Sequence, residues 1–224
     1  MKKKELLAEF TGTTLLLTAN AGSAAAAQEL TDNSAIRGII NGLSTSIALG
    51  LLIFLFSQMS GAHFNPAVSI VEFVGKRIST SQLFGYLAAQ FSGAVLGVLL
   101  ANLMYQSSIF KLSTNERSGS GIYLGEIIAT SGLLFVINIL RIQKRGEFTP
   151  VAVAAWIISA YFFTSSTALA NPAVTVARMW ADNISGVAPK SILGLILAQL
   201  LGAALATIYV EQFKKSKKKI EKND

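Results

Sequence analysis

Residues 60–73 read SGAHFNPAVSIVEF, and residues 167–180 read TALANPAVTVARMW. The quartet Asn65, Pro66, Ala67 and Val68 thus returns as Asn171, Pro172, Ala173 and Val174, about half a chain length later. Self-similarity at such a distance marks a duplicated unit. Asparagine is a favoured helix N-cap, and proline suits the first helical position, where its missing N–H is not needed. Each copy therefore predicts a helix that starts abruptly at its proline. Such an end carries free N–H groups and roughly half a positive charge. The asparagine adds an amide that can donate and a carbonyl that can brace the backbone. One Asn-Pro alone is ordinary loop chemistry; its recurrence at the same place in both halves gives it weight.

The surrounding chain is 52% hydrophobic and only 14% charged, against about 25% charged in soluble domains. That composition is read as an integral membrane protein. The chain has no cysteine and one histidine, His63. A disulfide framework, thiol chemistry and a Cys/His metal cluster are therefore not expected, nor is a cofactor. No set of residues pairs a nucleophile with an acid or base, so no enzyme is predicted. The net charge of +7 is concentrated at Lys2, Lys3, Lys4 and at Lys214, Lys215, Lys217, Lys218 and Lys219. Basic clusters flanking apolar runs fit cytoplasmic ends of membrane spans rather than a nucleic-acid surface. The opening MKKKELLAEFTGTTLLLTANAGSAAAA is built like a signal peptide. Glu9 and Asn20 interrupt its apolar run, and the repeat needs the segment, so it is expected to stay as a span.

Apolar runs predict spans near 6–27, 39–56 and 83–105 in the first half, and near 122–140, 150–163 and 192–209 in the second. The helices after the motifs, near 66–75 and 172–182, are about half as long as a bilayer is thick. The expected fold is all-α: six transmembrane helices plus two re-entrant half-helices, in one membrane domain over 1–224. Its repeats are placed at about 5–106 and 121–213. The halves match beyond the motif: AEFTGTTLLL with Glu9 faces GEIIATSGLL with Glu126, and AAQFSGAVLG with Gln90 and Gly93 faces LAQLLGAALA with Gln199 and Gly202. Three spans per half invert the second copy in the membrane, and inverted repeats with half-length helices place a site near the midplane. With both termini cytoplasmic, only Arg37, Lys111, Arg117, Arg178 and Lys190 of the 19 Lys and Arg residues fall outside, as the positive-inside rule requires.

Two Asn-Pro-Ala motifs on inverted three-span repeats, with SGAHFNPAV in the first, resemble the aquaporin (major intrinsic protein) family over essentially the whole chain. The resemblance implies a passive pore in each subunit, a homotetramer, and a bacterial inner or plasma membrane location. It places Asn65 and Asn171 at the meeting point of the half-helices, where positive helix ends help exclude protons and cations. Carbonyls of Gly61, Ala62, His63, Thr167, Ala168 and Leu169 would supply acceptors along the path. Glu9 and Glu126 resemble the family's structural glutamates, which brace the loops behind the half-helices; His63 would bond within its loop.

One departure bears on the solute. Most aquaporins carry an arginine directly after the second Asn-Pro-Ala, where this chain has Val174. Arg178 lies one turn further on, as a vestibule charge or an ion pair with Asp182. Family spacing puts Thr45, Ser159, Ala168 and Val174 at the constriction, wider than a strict water filter and without fixed charge. The resemblance is to a bacterial branch with NPAV in its second motif. Water plus glycerol-like or metalloid-hydroxide-like neutral solutes are the expected permeants. A strict water channel is the alternative, then a proton-coupled alternating-access transporter using Glu9 and Glu126, and a relative that conducts little.

Overall fold

Asn65 and Asn171 cap the helices that their sequence predicts. Both are extended, with φ -151° and -157°, and each is followed by proline in the first turn. The Asn65 side chain accepts from the Ala67 amide at 2.9 Å, and that of Asn171 from the amides of Ala173 at 3.0 Å and Val174 at 3.3 Å. The computed structural model describes residues 2–220, with side chains through 213. The lysines from Lys214 onward, part of the charge argument, have side chains outside the described residues.

The described residues form helices and no strand: α1 Lys3–Leu30, α2 Ser34–Ser60, α3 Pro66–Val74, α4 Thr80–Met104, α5 Ser120–Ile142, α6 Thr149–Phe163, α7 Pro172–Ala177 and α8 Pro189–Ile220. The order long, long, short, long occurs twice. The first half-length helix ends at Gly75, and Lys76 reverses the chain at φ 57°. The second is shorter than expected, because α7 tightens into a 3-10 turn over Arg178–Trp180.

Among the described residues five helices are long and apolar enough to cross a membrane: α2, α4, α5, α6 with the turn before it, and α8. The sixth expected span, α1, has 28 residues but is more polar. Its polar groups point inward: Glu9, Thr13, Thr14 and Asn20 are all buried. Its polarity is thus interior chemistry, and its length, about 1.5 Å per residue, suffices to span. Leucine, isoleucine and phenylalanine side chains such as Ile47, Phe54, Phe84, Leu193 and Leu197 are exposed. On a helical membrane protein that is the expected face toward lipid or neighbouring subunits.

The long helices pair α1 with α4 and α5 with α8, and the matched glycines sit in these seams. A Cβ on Gly93 would lie 2.5 Å from the Phe10 carbonyl oxygen, and one on Gly202 would lie 2.6 Å from that of Ile127. Backbones this close are how membrane helices associate without a hydrophobic drive. Gly202→Ala is expected to push α8 off α5 and destabilise the protein by about 1–3 kcal/mol, seen as a lower thermal midpoint in detergent. An unchanged midpoint would show that the seam can relax.

Candidate pore

The two loops before the half-helices are irregular for a physical reason. Ala62, Phe64, Thr167, Ala168 and Ala170 all hold φ between 48° and 60°. Left-handed backbone is unfavourable for residues with a Cβ and persists only where the surroundings impose it. Two carboxylates impose it here. Glu9 accepts from the amides of His63 at 2.9 Å and Phe64 at 2.8 Å, and from the Ser60 hydroxyl at 2.6 Å. Glu126 accepts from the amides of Leu169 and Ala170, both at 2.9 Å. Gln90 and Gln199 complete the sets: each donates to its glutamate, at 2.8 Å and 2.5 Å. Each also donates to the hydroxyl four residues past the motif asparagine, Ser69 at 2.9 Å and Thr175 at 2.8 Å. Both carboxylates are fully buried, and neither lines the central cavity.

The asparagines lock the loops to each other. The Asn65 amide donates to the Ala170 carbonyl and the Asn171 amide to the Phe64 carbonyl, both at 2.8 Å. One N–H of each side chain is thereby used in bracing, so at most one remains for a permeating molecule. His63 packs in the same loop, with Nδ1 2.9 Å from the Ser69 hydroxyl and its ring edge-on to Tyr86.

Both asparagines line a cavity of about 410 Å³. All of residues 61–64 and 167–170 line it too. The carbonyls of Gly61, Ala62, His63, Thr167, Ala168 and Leu169 accept no hydrogen bond among the described residues. Irregular backbone with free carbonyls is tolerated at membrane depth only where it is packed or lines a cavity. Each half-helix then contributes the same ladder: a valine three residues past the asparagine, Val68 or Val174, and a charge seven residues past it, Glu72 or Arg178. Glu72 is buried and doubly paired. Arg77 reaches it at 2.5 Å and 3.1 Å, and Arg141 at 2.7 Å. Glu5 also lines the cavity, so that end sets two arginines against two carboxylates.

Among the residues assigned to the constriction from the sequence, Thr45, Ala168 and Val174 line the cavity. Ser159 does not: it is exposed on the outer side of α6 and bonds back to the Ala155 carbonyl at 2.8 Å. The α6 residues on the cavity are Thr149, Val153, Ile157 and Tyr161. Arg178 lines the cavity and is 3% exposed. It is not paired with Asp182, which binds Lys111 at 2.6 Å; its Nε donates to the Ser185 carbonyl instead.

Sequence reasoning passed over several residues. Asn20 and Ser46 line the cavity. The Asn20 amide donates to Thr45 Oγ1 at 3.1 Å. Glu72 stands at the same offset from Asn65 as Arg178 from Asn171, a signal the repeat offered. Arg117, in the connection between the halves, reaches the second loop. It donates to Ser166 at 3.3 Å, Thr167 Oγ1 at 3.1 Å, and the Ile184 and Gly186 carbonyls at 2.9 Å. Nothing in its sequence context announces that reach.

Two half-helices, braced from behind and facing one cavity, define a helical membrane protein with a built passage. A model of the Major intrinsic protein family matches residues 1–168. The chain belongs to this family, that of the aquaporins. It is 37% identical over 203 residues to the aquaglyceroporin AqpS of Rhizobium meliloti (strain 1021), covering 91% of this chain and 87% of the relative. It is 29% identical over 183 residues to aquaporin NIP3-1 of Arabidopsis thaliana, covering 76% of this chain and 56% of that one. Its fold is similar to the X-ray structure of the aquaglyceroporin from Plasmodium falciparum, with a TM-score of 0.75 at 22% identity over 92% and 94% of the two chains.

Proposed function

We propose that the chain is a single-domain, passive channel for water and small neutral solutes of glycerol or metalloid-hydroxide size. The observation that carries this reading is the cavity itself. It is lined by both motif asparagines and by carbonyls with no protein partner, and Val174 stands where the family's arginine would narrow it. A solute leaving water loses hydration in the apolar stretches and regains bonds from Asn65, Asn171 and those carbonyls. Thr45, Ala168 and Val174 set the width of the constriction, and Arg178 adds charge beyond it. The half-helix ends and Arg178 oppose cations. Glu9 and Glu126 serve as braces: every carboxylate oxygen already accepts from buried donors, which leaves them no place in a proton-coupled cycle. The relative named as an aquaglyceroporin over most of its length agrees with a solute range beyond water.

The Glu72 end, with Arg77 and Arg141, is assigned to the cytoplasm, and the Arg178 end to the outside, by the distribution of Lys and Arg. Both termini are then cytoplasmic, in a bacterial plasma membrane. The exposed apolar helix faces suit packing of subunits into a homotetramer. The test is a stopped-flow panel on purified protein in liposomes, with water, glycerol, urea and arsenite gradients. Water and glycerol are expected to cross faster than in empty liposomes. Absence of flux for all four would overturn the channel reading, and saturable uptake driven by a pH gradient would replace it with a transporter.

A further inference from the structure

Arg178 is almost completely enclosed, yet its guanidinium is mostly unused. Of five N–H donors, only Nε has an acceptor among the described residues, the Ser185 carbonyl. The residue lines the cavity, so its other donors turn toward that space. Among the described residues no carboxylate forms an ion pair with it. The ionisable groups acting on Arg178 are Arg117, Tyr161 and Glu126. Glu126 spends its oxygens on the Leu169 and Ala170 amides and on Gln199. Asp182 is held by Lys111, Glu116 by Lys190 and Asp32 by Arg37. Arg117 adds a second positive charge, with its donors bound to carbonyls and a hydroxyl. The two guanidiniums grip three successive carbonyls, Ile184 and Gly186 by Arg117 and Ser185 by Arg178. That grip fixes the Arg178 plane.

We propose that Arg178 forms a binding subsite for small carboxylates at this end of the channel. A carboxylate presents two acceptor oxygens that match the guanidinium fork. It also supplies the negative charge that the surrounding protein withholds from a buried cation. The subsite lies one helical turn beyond Val174, so an occupant stands in the path of neutral solutes. This proposal rests on the channel reading above.

The test uses the full chain in liposomes and lactate as probe, present on both sides at about 50 mM and about pH 8, where the carboxyl is ionised. Chloride at equal ionic strength and lactamide, the neutral amide, are the controls. Glycerol permeation is expected to be about twofold slower in lactate than in chloride, and unchanged by lactamide. Arg178→Gln should abolish the difference, and Arg178→Lys should keep part of it, each measured against its own rate in chloride. No slowing in the wild type, equal slowing by lactamide, or equal slowing in Arg178→Gln would overturn the subsite. If Arg178→Gln does not fold, the comparisons of lactate with lactamide and of Arg178→Lys with wild type still decide. Failure of the channel reading looks different: no glycerol flux above empty liposomes in any medium.

Discussion

Glu126→Ala is expected to destroy the channel as a folded object, not merely to slow it. The substitution strips the Leu169 and Ala170 amides and the Gln199 side chain of their acceptor at once. Each buried donor left without a partner costs about 1–3 kcal/mol, so a loss of about 3–5 kcal/mol follows even with partial relaxation. The loop then loses its shape, because Thr167, Ala168 and Ala170 sit in left-handed backbone that these bonds help to hold. Asn171 starts directly after them, so its bond to the Phe64 carbonyl should fail with the loop. Glu126→Gln keeps the shape and one acceptor oxygen. It replaces the other oxygen with a donor that faces donors, and about half the loss is expected. Thermal midpoints in detergent and water permeability in liposomes check both variants. A Glu126→Ala protein with wild-type stability and flux would sink the bracing role. A Glu126→Gln protein of wild-type stability that lost only pH-driven uptake would revive the coupled transporter.

The braces were legible in the sequence because duplication exposes them. Glu9 matches Glu126 and Gln90 matches Gln199 within similar local stretches on the same sides of the two motifs, and the structure joins each pair to its own loop. The asparagine caps were legible because capping is local chemistry, settled within three residues. Ser159 was not placed correctly, since its position depends on the rotation of α6. Cavity residues on that helix step by four, through Thr149, Val153 and Ile157, and Ser159 lies two beyond Ile157. Two residues turn a helix by about 200°, to the opposite face. The same dependence hid Asn20 and Ser46, whose facing is set by how α1 and α2 pack. Arg117 lies further from reach: its four acceptors come from segments at 166–167 and 184–186, which meet only in the folded chain. Sequence thus shows what is local or repeated, and tertiary rotation decides the rest.

Val174→Arg is expected to convert the solute range while sparing the fold. Val174 lies on the cavity wall on α7 and is 9% exposed. An arginine there must extend along the cavity, because α7 is packed on its other faces against α4 and α8. Acceptors await it: the Thr167, Ala168 and Leu169 carbonyls have no partner among the described residues. A guanidinium bonded there would narrow the passage by most of a side chain and take the acceptors that a polyol would use. It would also stand four residues before Arg178, on the same helical face, adding a like-charge contact of a few tenths of a kcal/mol, too small to unfold the protein. Selectivity by width and by lining hydrogen bonds is how such pores discriminate. Glycerol permeability is therefore expected to fall about tenfold, worth about 1.4 kcal/mol at the barrier. Water, needing less width and fewer acceptors, should fall about twofold or less. The check is paired stopped-flow measurement of both solutes on the same liposomes, with the thermal midpoint as a control for folding. Equal losses for both solutes would mean a general block, and no change would mean that position 174 does not define the narrowest part of the path. A rise in the ratio of water to glycerol is the one outcome that ties the width of this channel to Val174.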